Sequence, residues 1–212
     1  MVEDVRGGTL EARLQHDPQD AERTLVRLGG VLQAMRQHRG RYFGKVVLKG
    51  LGDARQDRSC EQVVLDRAVQ HLAEAALRVE RVAQVREQLE EKIRELASVV
   101  RPRDEYSLIH GELGPDHVLV DEQGDPVLID IEGTMFFDVE WEHVFLQLRF
   151  GEHYQWLRAN DLDDQRMQFY ALAMYLSLVA GPLRLLDGDF PEREFMMEIA
   201  EGNIQRALTF LH

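Results

Sequence analysis

The spacing of apolar residues along the chain predicts a mainly helical protein. Apolar side chains recur every three or four residues over most of the sequence, which is the repeat of a helix that buries one face. Clusters of Gly, Pro and Asp divide this pattern into segments. The predicted helices are Leu10–Gln15, Asp17 to about His38, a region from Ser59 to Leu96, a helix capped by Asp138, Met167–Val179 and Phe195–Leu211.

Three positions within these segments carry more specific predictions. The pair Gly29–Gly30 costs about 1 kcal/mol per Gly relative to Ala inside a helix, so we expect a close helix contact there. The Ser59–Leu96 region is either one long helix or a helical hairpin that bends near Leu77–Arg78. Pro182 is expected to end or kink the helix that precedes it.

A different pattern, between Leu108 and Glu142, predicts a small β ribbon. Apolar runs at 107–109, 117–120 and 127–131 are separated by a polar loop and by a turn that contains Gly, Asp and Pro. Each strand is expected to deliver polar groups at its end, so that carboxylates and a histidine meet at one end of the ribbon. Such an arrangement suits metal-assisted phosphate chemistry. These polar residues are His110, Glu112, His117, Asp130 and Glu132.

The composition narrows the class of protein. The 212 residues suffice for one or two domains with a proper core, and the hydrophobic fraction of 44% is ordinary for a globular protein. A net charge of −13 argues against nucleic-acid binding, which requires clustered Lys and Arg, and is compatible with a cationic substrate. The single Cys60 excludes an internal disulfide and fits a reducing cytoplasm. The longest apolar run, Phe169–Gly181, is shorter than the roughly 18 residues of a membrane span, so no membrane partner is expected.

The stretch from Leu108 to Glu142 resembles a known family. Residues 110–117, HGELGPDH, have the frame of the kinase catalytic loop, and Asp130 stands where the metal-binding Asp of the next kinase motif would fall. The Gly after the His, together with residues 137–142, resembles the aminoglycoside phosphotransferase and choline kinase branch. The resemblance implies a mainly α fold with a small β ribbon (α+β), the C-terminal lobe of a protein-kinase-like fold. Glu112 departs from the catalytic Asp of that family, and His117 departs from its metal-binding Asn.

The resemblance implies a role for each polar residue of the ribbon. Glu112 is expected to act as general base for a substrate hydroxyl, and His110 to hold the catalytic loop by hydrogen bonds. Asp130 and His117 are expected to bind Mg²⁺; the His either shifts the preference towards Mn²⁺ or serves only as a donor. Glu132 is expected to face the substrate or to support the metal ligands. The simpler alternatives are a loop carboxylate that caps a backbone amide for Glu112 and a solvated strand-end position for Asp130.

Four other polar residues of this region are assigned structural positions. Asp138 and Glu142 are expected to brace the loop and the start of the next helix rather than to contact a ligand. His143 and His153 lie near Trp141 on or after that helix, and isolated histidines of this kind are expected to be packed or surface groups.

The start of the chain resembles the hinge between the two lobes of a kinase. In this alignment residues 1–8 form the hinge, and Glu3, Asp4 and Val5 hold the adenine ring of ATP through their backbone. Residues 1–212 then form a single C-terminal lobe with its catalytic and metal loops at 106–142, and an N-terminal lobe is expected to be absent. Its absence would expose a sheet edge at the hinge, which favours self-association. Lys49 is expected to be a solvated loop lysine.

The resulting hypothesis is a cytoplasmic small-molecule kinase that transfers the γ-phosphate of ATP to a substrate hydroxyl, with Mg²⁺ or Mn²⁺ as the metal. An aminoglycoside or another cationic antibiotic suits the acidic chain and would make antibiotic resistance its role; a macrolide or a metabolite also remains open. The alternative is a non-catalytic, pseudokinase-like module that binds a ligand. The residues Glu112 and His117, and the expected loss of a lobe, favour that alternative.

Overall fold

The computed structural model describes residues 7–46 and 58–212 of the chain. The hinge-like Glu3, Asp4 and Val5, and also Lys49, lie outside the described residues. The described residues form two compact units, one from 7–46 with 103–162 and the other from 58–102 with 163–212. The prediction that the chain is a single lobe stays a prediction.

Helices provide most of the structure in both units. All eight helices described here correspond to the six predicted segments, and the region from 59 to 96 supplies three of them. They are α1 (Leu10–His16), α2 (Pro18–Gln37), α3 (Cys60–Ala76), α4 (Glu80–Gln84), α5 (Arg86–Val99), α6 (Val139–Phe150), α7 (Asp164–Leu185) and α8 (Arg193–Leu208). Short 3₁₀ turns lie at Pro115–His117, Ile131–Gly133, Gly151–Trp156 and Thr209–Leu211.

The second unit is a helical bundle in which α7 packs against α3, α5 and α8. The chain leaves its helical course after Ala76 and resumes it at Glu80, which confirms the hairpin alternative for this region. Pro182 does not end the preceding helix, because α7 continues to Leu185. Pro182 lacks the N–H that would donate to the carbonyl of Leu178, so α7 continues past it with one backbone hydrogen bond fewer.

The described residues of the first unit form two antiparallel sheets. The strands are β1 (Arg39–Gly40), β2 (Gly44–Lys45), β3 (Tyr106–Ile109), β4 (Val118–Val120), β5 (Pro126–Leu128) and β6 (Met135–Phe137). One sheet has the order β1-β3-β6-β2, and the other is the hairpin β4-β5. A mainly helical chain with small antiparallel sheets confirms the predicted α+β class.

The strand pairing differs from the predicted three-stranded ribbon. The first predicted strand, β3, pairs with β6 and with β1 instead of with the strand that follows it. The third predicted strand ends at Leu128 instead of Ile131, because Asp130 adopts a left-handed backbone with φ 58° and a 3₁₀ turn follows. A strand of three or four residues has no pattern long enough to specify its partner. Its pairing is therefore decided by the packing of the whole unit.

The core of the first unit joins the helices to the hairpin and to the loop between β3 and β4. Leu10 of α1, Leu28 of α2 and Leu113 of the loop are completely buried in one apolar cluster. Gly29 confirms the predicted close contact, since a Cβ atom there would lie 2.7 Å from the carbonyl oxygen of Trp156. Gly30 makes no such contact, because a Cβ atom there would meet nothing within 4 Å.

Within residues 7–46 and 58–212, no helix combines the length and the apolar composition that a bilayer crossing requires.

Candidate functional site

The predicted catalytic loop, residues 110–117, begins where β3 ends and is fixed by its first two residues. His110 is completely buried, and Gly111 has a φ of 91°, a conformation that L side chains rarely adopt. A Cβ atom at Gly111 would also lie 3.0 Å from the carbonyl oxygen of Gly133. Both the backbone angle and the space therefore require glycine at this position, and the loop can pass close under the turn at 131–133.

The side chain of Glu142, on α6, anchors this loop. Its Oε1 accepts hydrogen bonds from the backbone N–H groups of His110 at 2.7 Å and of Gly111 at 3.3 Å. Burial raises the pKa of Glu142 to about 7, although the two backbone hydrogen bonds act in the opposite direction. These contacts confirm the prediction that Glu142 braces the loop.

His110 links the loop to the segment that carries Asp130. Its Nε2 lies 2.9 Å from the carbonyl oxygen of Ile129, and a carbonyl can only accept, so Nε2 carries the proton. Burial lowers the pKa of His110, with the hydrogen bond to Ile129 opposing that effect, and the ring is therefore neutral near pH 7. Its Nδ1 is buried without a hydrogen-bond partner among the described residues. These contacts are those of a residue that positions the loop.

A second brace joins the chain before β3 to the start of α6. The Arg103 guanidinium makes two hydrogen bonds to the Glu140 carboxylate, at 2.7 and 2.8 Å, and a third of 3.2 Å to Asp138. Burial lowers the pKa of Arg103, but the hydrogen bonds and charges of Glu140 and then Asp138 outweigh it and raise the pKa. Both carboxylates are buried. Sequence reasoning anticipated the bracing by Asp138 but missed Arg103, which lies 37 residues before Glu140.

The opposite face of the loop presents exposed polar side chains. The Nδ1–H of His117 donates a hydrogen bond of 2.8 Å to the backbone oxygen of Glu112, since a carbonyl oxygen can only accept. The Nε2 of His117 is then free of a proton in the neutral ring and lies 3.6 Å from Asp130 Oδ2. Glu112 and Asp130 are both exposed. The structure thus brings Asp130 and His117 together beside the loop that carries Glu112.

Asp116 is a member of this cluster that sequence reasoning missed. Its Oδ2 lies 3.6 Å from Nε2 of His117, and its Oδ1 accepts a hydrogen bond of 2.6 Å from Arg149. Arg149 lies on α6, 33 residues along the chain, so no local pattern indicated this ion pair. The pair crosses over Gly114, where a Cβ atom would lie 2.6 Å from Nη2 of Arg149.

The polar cluster provides only some of the ligands that a divalent metal ion requires. Within the described ranges, no group of three or more His, Cys, Asp or Glu side chains is arranged to hold a metal ion. Mg²⁺ is commonly held by one or two carboxylates together with phosphate oxygens of a nucleotide and water. Asp130 with His117 provides such an incomplete set. Glu132 is exposed in the turn after Asp130, and within 7–46 and 58–212 its side chain makes no ion pair or hydrogen bond.

The amino-acid sequence matches a known protein family over most of its length. The sequence model of the phosphotransferase enzyme family matches residues 1–175. No curated protein sequence matches the chain.

Solved structures share the fold at low sequence identity. A thermostable mutant of aminoglycoside phosphotransferase APH(4)-Ia matches with a TM-score of 0.68 and 18% identity, over 96% of this chain and 71% of that chain. A mutant of an aminoglycoside 2'-phosphotransferase, in a GDP complex, matches with a TM-score of 0.66 and 19% identity, over 99% and 70%. Choline kinase LicA from Streptococcus pneumoniae matches with a TM-score of 0.61 and 13% identity, over 100% and 68%. At these identities the likeness shows the fold alone.

Proposed function

The chain belongs to the phosphotransferase enzyme family, and from this premise we propose that it transfers the γ-phosphate of ATP to a hydroxyl group of a small molecule. The observation that supports this proposal is the division of the catalytic loop into two faces. One face is held by buried contacts to Glu142 and Ile129, while Glu112, His117 and Asp130 lie together on the exposed face. A loop with one face fixed by buried contacts and the other face lined with polar side chains suits a reaction that depends on positioning and charge.

In this proposal Glu112 is the general base. Its carboxylate accepts the proton of the substrate hydroxyl as that oxygen forms a bond to the γ-phosphorus and the bond from the γ-phosphorus to the β-phosphate oxygen breaks. Glu is one methylene longer than Asp, so the substrate hydroxyl would bind farther from the backbone of the loop than with an Asp base. Glu132, in the turn after Asp130, would contact the substrate.

Asp130 and His117 would hold Mg²⁺ together with the phosphates of the nucleotide. When bound, the metal ion supplies positive charge to the phosphate oxygens. The left-handed backbone of Asp130 directs the chain away from β5 at this point and leaves the carboxylate exposed. We retain three further proposals, which rest on the sequence alone. They are the binding of adenine by Glu3, Asp4 and Val5, a cytoplasmic location, and self-association at the hinge-like edge.

Neighbouring structures suggest ligands to test. An APH(4)-Ia mutant was crystallised with ADP and hygromycin B, another with AMP-PNP and hygromycin B, and LicA with AMP. We therefore propose a nucleotide as the phosphate donor, and an aminoglycoside or a small cationic alcohol such as choline as the first acceptors to examine. The acidic chain, with a net charge of −13, suits a cationic acceptor.

The test is ATP consumption by the purified chain in the presence of Mg²⁺ with each acceptor, for the wild type and for Glu112→Gln. Loss of a general base is expected to lower kcat by about 10²–10⁴-fold with little change in KM. Glu122→Gln, which removes an exposed carboxylate from the turn between β4 and β5, is the matched control and is expected to keep wild-type turnover. Wild-type kcat in Glu112→Gln would contradict the assignment of the base.

A non-catalytic ligand-binding module is the second candidate. It is favoured by the incomplete metal set among the described residues and by the two departures from the family pattern at Glu112 and His117. This candidate predicts nucleotide or acceptor binding in calorimetry without consumption of ATP under any of the acceptors tested.

A further inference from the structure

The first unit contains a cavity that the proposed reaction does not use. Its volume is about 540 Å³, and its walls come from α2, from the start of α6 and from the 156–161 segment. None of residues 110–132 lines it, so it is distinct from the exposed face of the catalytic loop. Small-molecule sites commonly have volumes of about 300–1,000 Å³. The cavity is therefore large enough for a ligand of one or two rings.

Part of the cavity wall is apolar. The α2 helix contributes Gly30, which presents backbone instead of a side chain and where a Cβ atom would meet nothing within 4 Å, whereas the space beside Gly29 is filled by the carbonyl oxygen of Trp156. Trp156 and Val26 also line the cavity, with 39% and 52% of their surfaces exposed. Exposed large apolar side chains beside a cavity provide contact area for a ligand, and an indole ring packs well against another planar ring.

The charged groups of the wall leave one positive charge unpaired. Arg36 is neutralised by Asp161, whose carboxylate oxygens lie 2.5 and 2.6 Å from Nη2. The carboxylate of Glu142 is engaged by the backbone of the catalytic loop. Arg158 also lines the cavity, and its side chain has no ion pair or hydrogen bond within the part of the chain that the structure describes. An unpaired guanidinium favours a ligand with a single negative charge.

His143 adds a neutral donor to the same wall. Its Nδ1 lies 3.2 Å from the hydroxyl of Tyr154. Burial lowers the pKa of His143 to about 4 and raises the pKa of Tyr154 to about 12, so the phenol keeps its proton and the imidazole is neutral near pH 7. In the tautomer in which the phenol donates to Nδ1, the ring proton is on Nε2, which can donate to a ligand.

We propose that this cavity binds a small planar aromatic molecule that carries one carboxylate. The ring packs against Trp156 and the backbone of Gly30, and the carboxylate accepts hydrogen bonds from Arg158 and His143. The inference goes beyond the proposed phosphate transfer and does not depend on it, since its test measures binding alone.

Isothermal titration calorimetry with 2-naphthoate and with its uncharged analogue 2-naphthamide tests the chemical class. We expect the wild type to bind the acid about tenfold more tightly than the amide, as for one charge-assisted hydrogen bond. Arg158→Gln is expected to remove this preference and to leave the affinity for the amide unchanged. Arg23→Gln, an exposed α2 residue that does not line the cavity, is the matched control and should keep the preference.

The location is tested by filling the cavity. Gly30→Leu adds a bulky side chain to the cavity wall at a position where a Cβ atom would meet nothing within 4 Å, and it is expected to weaken both compounds by at least about tenfold, because the leucine competes with the ring for the space beside Gly30. Gly202→Leu on α8, where a Cβ atom would meet only the end of the Arg206 side chain at 3.3 Å, is the control and should bind as the wild type does.

Three results would overturn the proposal. They are failure of the wild type to bind 2-naphthoate, equal affinity for the acid and the amide, and unchanged binding in Gly30→Leu. If Gly30→Leu does not fold, Arg158→Gln tests the proposal instead, because Arg158 is exposed and its replacement leaves the core intact. Loss of the preference for the acid then supports the proposal, and retention of that preference overturns it.

Discussion

The anchor of the catalytic loop makes a quantitative prediction about pH and stability. Glu142 has its pKa raised from an ordinary 4.5 to about 7, chiefly by burial. Below pH 4.5 the carboxyl is protonated in both the folded and the unfolded chain and has no effect on the pH dependence. Between the two pKa values the folded chain binds one proton more than the unfolded chain. The stability of the wild type therefore falls as pH rises through this window.

The magnitude follows from the size of the shift. A difference of about 2.5 pH units corresponds to about 3 kcal/mol, at roughly 1.4 kcal/mol per unit. Glu142→Gln keeps the shape of the side chain and an oxygen that accepts from the loop amides, but it does not ionise. We therefore expect the free energy of unfolding of the variant, relative to the wild type, to increase by up to about 3 kcal/mol from pH 4.5 to pH 8.

Urea unfolding at several pH values, followed by tryptophan fluorescence, measures this difference. Both tryptophans of the chain, Trp141 and Trp156, belong to the first unit and so report on the unit that contains Glu142. Glu122→Gln serves as the control for removal of an exposed carboxylate from the same unit. A difference between wild type and Glu142→Gln that stays constant from pH 5 to pH 8 would refute the reasoning, since it would mean that the anchor ionises as freely as in the unfolded chain.

Three further predictions follow from the contacts around the site. Asp130→Asn is expected to weaken Mg²⁺ binding in calorimetry, because it removes a charged ligand, and to lose little stability, because Asn also tolerates the left-handed backbone. Equal affinities of the wild type and the variant for Mg²⁺ would contradict the assignment of Asp130 as a metal ligand. Arg103→Gln is expected to lower the free energy of unfolding by about 3–5 kcal/mol, because it removes the guanidinium from two buried carboxylates; a loss below about 1 kcal/mol in urea unfolding would contradict the brace. Gly29→Ala is expected to destabilise the chain by about 1–3 kcal/mol through its clash with Trp156, whereas Gly30→Ala is expected to stabilise it by up to about 1 kcal/mol; equal melting temperatures for the two variants would contradict the packing.

Much of the candidate site could be predicted because its residues lie close together in sequence. Residues 110–117 form one loop, and Asp130 follows at the end of the adjacent hairpin, so a local motif contains most of the exposed polar groups. The residues that hold this loop were harder to predict. Arg103, Arg149 and Asp116 make their ion pairs across more than thirty positions, and no spacing rule relates such partners.

The sequence by itself determined the helices, since a repeat of three or four apolar residues has meaning within a single segment. It also determined the need for a close contact near Gly29, because glycine in a helix is costly without one. Only the tertiary structure decided which strand pairs with β3, that Gly29 and not Gly30 meets the 156–161 segment, and that Arg103 braces the start of α6. The physical reason is that local periodicity specifies which face of a segment is buried, whereas the partner of that face depends on the packing of segments distant in sequence.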